Sequence, residues 1–491
     1  MSTETILNKP ASGPAAPQLS VKELQLFERD VKLRMPFRFG VVTLTQAPQA
    51  FVRCRIQMTD GREGWGAAAE VMAPKWFDKA PNLTNEDNFD QLRQALHFYR
   101  DAVLANGMNT AFGHFASLYQ AHLDAGAANG LNALTASYGP ALIDRAVMDA
   151  LCKVEELSFA QSVQANRPGI KPELLLEEFT GFDMAEFLAT LSPSAELHAR
   201  HTVGMVDPLT AEDQSPEDRV DDGLPETLDE VVQVYGHHYY KIKVGGDLEA
   251  DISRLKKIAS VLDKTGIAYK ATLDGNEQYD DVDRVIELLD AMRSEPDLAR
   301  MMDAIVLVEQ PIQRSEALKR DVSALAAQFP VIIDESDENL AAFPAARAKG
   351  YRGVSSKNCK GFYKSLINLA RCRMWSQEDG NDYFMSGEDL TCQAGIGVQQ
   401  DLALAALLGI GHVERNGHHY VKGIAGANEQ EQQQFLDAHP DLYRRKDGQV
   451  CTHIENGKLS VKSLQCHGFG SAVEPDWRVM KLMPVGSTNT A

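Results

Sequence analysis

No run of this chain approaches the roughly 20 apolar residues that a membrane helix requires, which argues against a helical membrane span. The opening MSTETILNKPASGPAAPQ lacks the apolar centre of a secretory signal, so residues 1–18 are expected to form a mobile segment ahead of a soluble body. Cysteine is scarce and odd in number: seven residues, none in CxxC spacing. That favours a reduced, cytoplasmic chain over a disulfide framework. Positive charge is also short, with 49 Lys and Arg against 69 Asp and Glu and a net charge of −20. Nucleic acid and anionic membrane surfaces are therefore excluded as expected partners. No heptad pattern, short-period repeat or low-complexity tract beyond the termini is present.

What is present is a series of short runs, apolar at the start and polar at the end, each followed by a helical stretch. They read YYKIKVGG, AYKATLDGNEQ, IVLVEQP, VIIDES and GVSSKNCKG, and carry Lys243, Asp274, Glu309, Asp334 and Lys357 near their ends. These carriers are 31, 35, 25 and 23 residues apart, close to the roughly 30 residues of a βαβ unit. The order is that of repeated βα units. In a strand, alternate residues share a face, so Lys241 and Lys243 point one way and Ile242 and Val244 the other. Asp274 and Asn276 likewise share a face. If the strands close into a parallel barrel, the inward residues meet at its carboxyl-terminal mouth.

The fold class expected is α/β, a modified TIM-like (β/α) barrel with an α+β N-terminal capping domain; 491 residues, 44% of them hydrophobic, supply enough chain for both. Residues 19–190 are assigned to the capping domain. Within them LQLFERDVKL and FVRCRIQMTDGREGWGAAAE read as strands with a tight turn at Asp60-Gly61, and 86–165 show helical periodicity. The barrel is assigned to 191–416, beginning with ELHARHTVGMV, and 417–491 to a segment returning to the capping domain. Leu248, Ile252, Leu255, Ile258 and Leu262 recur at intervals of three or four and predict a helix packed on the barrel and ended near Gly266. SEALKRDVSALAAQ predicts another. The acidic stretch DPLTAEDQSPEDRVDDG reads as a solvated insertion or as a lid over the mouth.

Asp274, Glu309 and Asp334 offer hard oxygen ligands with no His or Cys cluster near them in sequence, which favours Mg2+ or Mn2+ over zinc. A carboxylate substrate held there would lose an α-proton to give a metal-stabilised enolate. Lys243 is the candidate base: burial, the neighbouring Lys241 and the metal each favour its neutral amine. Lys357, four strands further round, would face the substrate from the other side. Two opposed lysines suit racemisation, epimerisation or cycloisomerisation. They also permit elimination of water from a hydroxy acid, such as an acid sugar, and a non-catalytic metal-binding scaffold is the third reading.

The segments KIK at 241–243, DGN at 274–276, VEQP at 308–311, IDES at 333–336 and SSKNCKG at 355–361 resemble the enolase superfamily, in particular its muconate-lactonising-enzyme and mandelate-racemase branches. MPFRFG at 35–40 and DGREGWG at 60–66 resemble that family's capping domain. The resemblance implies an isomerase, with Lys243 as base, Lys357 as second acid/base and Asp274, Glu309 and Asp334 as Mg2+ ligands. It further implies Lys241 against the substrate carboxylate, with Asn276, Glu414, Phe37 and Phe39 near the substrate. An Asp on the sixth strand followed by a His on the seventh would mark the mandelate-racemase type; Lys357 followed by SGED at 386–389 fits the lysine-pair branch. VERNGHH lacks the Asp-x-Asp pair of dipeptide epimerases, and 86–135 and 207–223 are similar to insertions. The implied partner is a small-molecule carboxylate, and barrels of this family often form homo-oligomers.

Overall fold

The computed structural model describes residues 15–39, 42–424 and 426–485. Most of the expected mobile segment, and Gly40 of MPFRFG, lie outside the described residues. The first sheet is antiparallel: β1 (Leu19–Phe39), β2 (Val42–Met58) and β3 (Glu63–Val71) pair in sequence order. Asp60-Gly61 does form the β2–β3 turn, closed by the Met58 amide donating to the Arg62 carbonyl at 2.8 Å, with Gly61 at φ +87°. One face of this sheet is covered by the helix Tyr138–Val154. Gly66 permits that approach, because a Cβ there would stand 2.2 Å from the Ala146 carbonyl oxygen. The helices Asn85–Ala105 and Ala111–Ala128 stack on the covering helix, the first begun by a Thr84/Asp87 capping box.

Eight parallel strands follow: β4 (Glu196–Val203), β5 (Tyr239–Lys243), β6 (Lys270–Asp274), β7 (Ile305–Glu309), β8 (Val331–Ile333), β9 (Gly353–Ser356), β10 (Phe384–Gly387) and β11 (His412–Glu414). Each pairs with the next, and β11 pairs with β4, so the expected barrel closes. Leu255, Ile258 and Leu262 are buried and Leu248 and Ile252 pack against the core, on a helix spanning Leu248–Asp263. The single helix predicted over SEALKRDVSALAAQ is instead two short ones, Arg314–Ala317 and Ser323–Ala326. Asp321 breaks it by accepting the Ser323 amide at 2.7 Å, a local bond that competes with helix continuation.

After the barrel come the hairpin β12 (Tyr443–Lys446) and β13 (Gln449–Thr452), β14 (Lys458–Ser460) antiparallel to β4, and β15 (Lys481–Leu482) antiparallel to β1. The last strand thus hydrogen-bonds the first sheet. All seven cysteines are unpaired. Among the described residues no helix is long and apolar enough to cross a membrane.

Candidate active site

The polar residues at the ends of β5 to β9 meet at one mouth because the strands are parallel and their inward side chains alternate. Lys243, Asp274, Glu309, Asp334 and Lys357 are all buried there. β5 and β9 are four strands apart in a closed ring of eight, so Lys243 and Lys357 enter from opposite sides. A cavity lies between them, lined by Lys241, Lys243, Asn276, Asp334, Lys357 and Glu414 and, from other elements, by Phe37, Leu44, Ala73, Trp76, Asp389, Leu390 and Thr391.

Lys243 Nζ donates to Asp274 at 2.5 Å, and Lys357 Nζ to Asp334 at 2.6 Å while standing 4.4 Å from the centre of the Trp76 ring. Lys241 Nζ lies among four carboxylates: Asp274 at 3.0 Å, Glu309 and Glu388 at 2.8 Å and Glu414 at 3.0 Å. Burial works against the charge on Lys241, but these acids hold its pKa well above the ordinary value. Burial likewise opposes the charge on Lys357, and Asp334 outweighs it, so this lysine too is raised and stays an ammonium. Among the acids, burial is again the largest influence. It is overcome at Asp274 by Lys241 and Lys243, and at Asp334 by Lys357 and Lys360; both carboxyls sit below their usual range.

Glu309 differs: burial first, then the nearby Asp274 and Glu388, push its carboxyl well above the ordinary range. Its Oε2 is buried without a hydrogen-bond partner. An orphaned carboxylate oxygen amid like charges calls for a cation, and the donors are all hard oxygens. Asp274, Glu309 and Asp334 therefore fit Mg2+ or Mn2+ by chemistry. Among the described residues they do not bring three oxygens within 4.8 Å of one another, and lysine ammoniums lie against them.

The loops that shape the mouth are bent sharply. Asn276, Glu277 and Gln310 all have positive φ, of +45°, +67° and +33°, a strained conformation for residues with a Cβ. Gln310 uses the bend to accept the Asp334 amide at 2.8 Å through its side-chain oxygen. Asn276 Nδ2 donates to Glu335 at 2.9 Å, leaving its Oδ1 buried and unpartnered beside the cavity. Glu414 accepts from Thr202 at 2.6 Å, Asn416 at 2.9 Å and the Asp389 amide at 3.0 Å, so it braces the mouth as well as lining it.

Phe37 lines the cavity with its ring 4.5 Å from that of Tyr420. Phe39 ends β1, and its side chain lies outside the described residues. None of residues 86–135 or 207–223 lines the cavity. The acidic stretch is tied down instead, through Asp222 and the guanidinium of Arg34 at 2.7 and 2.8 Å.

Three contributors were not evident in the sequence. Glu388 binds Lys241, Arg200 and Ser386, yet SGED gave no sign of which acid would face inward. Lys360 Nζ reaches Ser355 at 2.6 Å and Asp337 at 3.1 Å; its place in SKNCKG was the available signal. Trp76 comes from the loop after β3. That loop is fastened to the barrel by Arg314, which donates to the Trp76 and Phe77 carbonyls and pairs with Glu277 at 2.8 Å.

The sequence matches no family model and no curated protein at a significant level. Its fold matches solved structures. A dipeptide epimerase from Enterococcus faecalis V583, complexed with Mg and the dipeptide L-Leu-L-Tyr, aligns with TM-score 0.59 and 16% identity over 92% of this chain and 99% of its own. Muconate lactonizing enzyme from Pseudomonas fluorescens, complexed with muconolactone, aligns at 0.56 and 17% over 93% and 97%. Another Enterococcus faecalis V583 protein, described as an unknown member of the enolase superfamily, aligns at 0.56 and 14% over 92% and 95%. The barrel with its antiparallel N-terminal domain is thus the enolase-superfamily fold.

Proposed function

We propose that this protein is an Mg2+-dependent isomerase that removes the α-proton of a small carboxylate and returns a proton to the same carbon. The observation that carries this reading is the pair Lys243 and Lys357, on β5 and β9, facing one cavity from opposite sides with buried carboxylates between them. The solved structures of similar fold include proteins named as an epimerase and a muconate lactonizing enzyme, which supports an isomerase over a binding scaffold. Asp274, Glu309 and Asp334 would hold the metal. When bound, it supplies Lewis acidity that offsets negative charge on the substrate.

The chain's own residues do the rest. Lys243, as the neutral amine, takes the α-proton onto Nζ, and the electron pair of the C–H bond remains on the substrate. Lys357, held as an ammonium by Asp334, gives a proton to the opposite face. The lysines end in exchanged protonation states and reset through solvent. Phe37, Leu44, Trp76 and Leu390 form an apolar wall that excludes water and orients the remainder of the substrate. A carboxylate with an apolar flank is the substrate class this lining suits.

The test is a panel of chiral carboxylates, among them dipeptides and lactone precursors, incubated with Mg2+ in deuterated water. Deuterium at the α-carbon with both stereoisomers recovered supports the proposal. A keto acid or alkene as product would replace isomerisation by elimination of water, and no exchange in any acid that binds would leave a metal-binding scaffold.

A further inference from the structure

On the outer face of β4 lies a second cluster of buried polar side chains, turned away from the mouth. Thr202 points inward to Glu414, so the adjacent His201 points outward. There it meets His237, just before β5, and His418, just after β11. The His201 and His237 rings are stacked with centroids 5.5 Å apart, and His418 lies 6.4 and 5.9 Å from them.

The hydrogen bonding of this cluster is incomplete in a particular way. His237 Nδ1 faces the Ala199 carbonyl at 2.9 Å. It can only donate there, which places the Nε2 lone pair toward the other rings, and that Nε2 is buried with no partner. His201 Nδ1 and both ring nitrogens of His418 are also without partners. His201 and His237 are 2% and 1% exposed, so water does not satisfy them freely. Buried polar atoms are ordinarily paired, and a backbone carbonyl fixing one imidazole nitrogen while freeing the other is the arrangement that supports metal-bound histidine.

We propose that His201, His237 and His418 form a binding site for a zinc-type divalent cation, distinct from the carboxylates of the mouth. Among the described residues this is the one group in which three such ligand atoms lie within 4.8 Å of one another. Zinc–nitrogen bonds of roughly 2.0–2.1 Å place ligand nitrogens roughly 3.3 Å apart in a tetrahedron, a contraction that side-chain torsions supply. Burial, the leading cause, holds all three rings below their ordinary pKa, His237 at about 4, which is the neutral form a metal requires.

All-imidazole donors select zinc and its neighbours over Mg2+. His418 is half-buried and the most exposed of the three, and the fourth position is left to water. Of the cations near His418, Arg415 is paired with Asp389 and Asp401, and Arg34, which donates to the His419 carbonyl, is offset by Asp222. A metal here would pin the first strand of the barrel to the segment following the last, across the β4–β11 seam where the ring closes.

The experiment uses full-length protein stripped with chelator, held in excess Mg2+ to occupy the mouth and titrated with Zn2+ under equilibrium dialysis. One tight equivalent is expected, accompanied by a rise in Tm. His418→Ala and His237→Gln should each weaken it at least roughly 100-fold, since even the outer partners of metal ligands are worth about 10- to 100-fold. Asp334→Asn should retain it. No tight equivalent in the unaltered protein, equal binding in the histidine variants, or its loss in Asp334→Asn instead would each overturn the site. Should His237→Gln fail to fold, the half-buried His418→Ala decides alone.

Discussion

The two sides of the barrel wall bury polar groups by opposite means. At the mouth, Lys241 and Lys357 are kept charged by acids within 3.0 Å, and most of the acids are kept charged in return. On the outer face of β4, His201, His237 and His418 are kept neutral by burial and leave nitrogens unpaired. Lysine and carboxylate can enter a core only together, because an isolated charge there costs several kcal/mol. Histidine can enter alone by giving up its proton. The first solution builds a site with charge ready to act on a substrate; the second leaves lone pairs ready for a cation.

The largest break in this contrast should come from the lysines that face the cavity. Lys243→Ala is expected to reduce α-deuterium exchange about 1,000-fold, the size of a general base, whereas Lys357→Ala should keep exchange from one stereoisomer and lose inversion. Proton NMR in deuterated water reads both, and equal exchange in Lys243→Ala and the unaltered protein would remove that lysine from the chemistry.

Next in size is Lys241→Met, which leaves Asp274, Glu309, Glu388 and Glu414 without their shared cation. Stability should fall by about 3–5 kcal/mol in urea unfolding without Mg2+. A smaller loss, near that of a surface pair, would mean the mouth is less dependent on pairing than its geometry implies.

Acid separates the two regions by window. The unfolded chain protonates histidine near 6.5 and folded His237 only near 4, so the unfolded state binds more protons between those values. That contribution is full above about 6.5 and is lost as pH falls toward 4, on the order of 3 kcal/mol for His237. Asp274 and Asp334 are depressed from 3.8, so their contribution is lost only below about 4. Metal-free protein should weaken first through the histidines, and His237→Gln should flatten that part of the profile. An unchanged slope would show that another group titrates there.

The smallest effect is expected at Trp76→Leu, which removes the ring facing the Lys357 ammonium and should weaken the cap's hold on the mouth by about 1 kcal/mol. A raised KM with little change in kcat is the expected readout. A fall in kcat alone would instead place Trp76 in the proton-transfer step.

The strand runs and their spacing sufficed to predict a parallel barrel, since polar carriers at βα intervals have few other ways to share a core. Period-two alternation likewise put Lys241 and Lys243 on one face of β5, whereas Asn276, expected to share a face with Asp274, lies past the end of β6 at φ +45° and reaches the cavity from its loop. What the sequence left open were partners set by closure. Glu388 and Trp76 reach the mouth from β10 and from the cap, and nothing local in SGED or in APKWFD states where the loops will fold. The 207–223 stretch had two readings, and Arg34 holds it away from the cavity lining.

The histidines make the division plain. His201, His237 and His418 are scattered along the chain, each an unremarked residue near the end of an element. The sequence by itself determined a repeated βα body with lysines and acids on inward positions, because strand periodicity is a local property of the backbone. Only the tertiary structure decided which outward residues of β4 meet the segments before β5 and after β11, because joining the first strand to the last is a property of the closed ring.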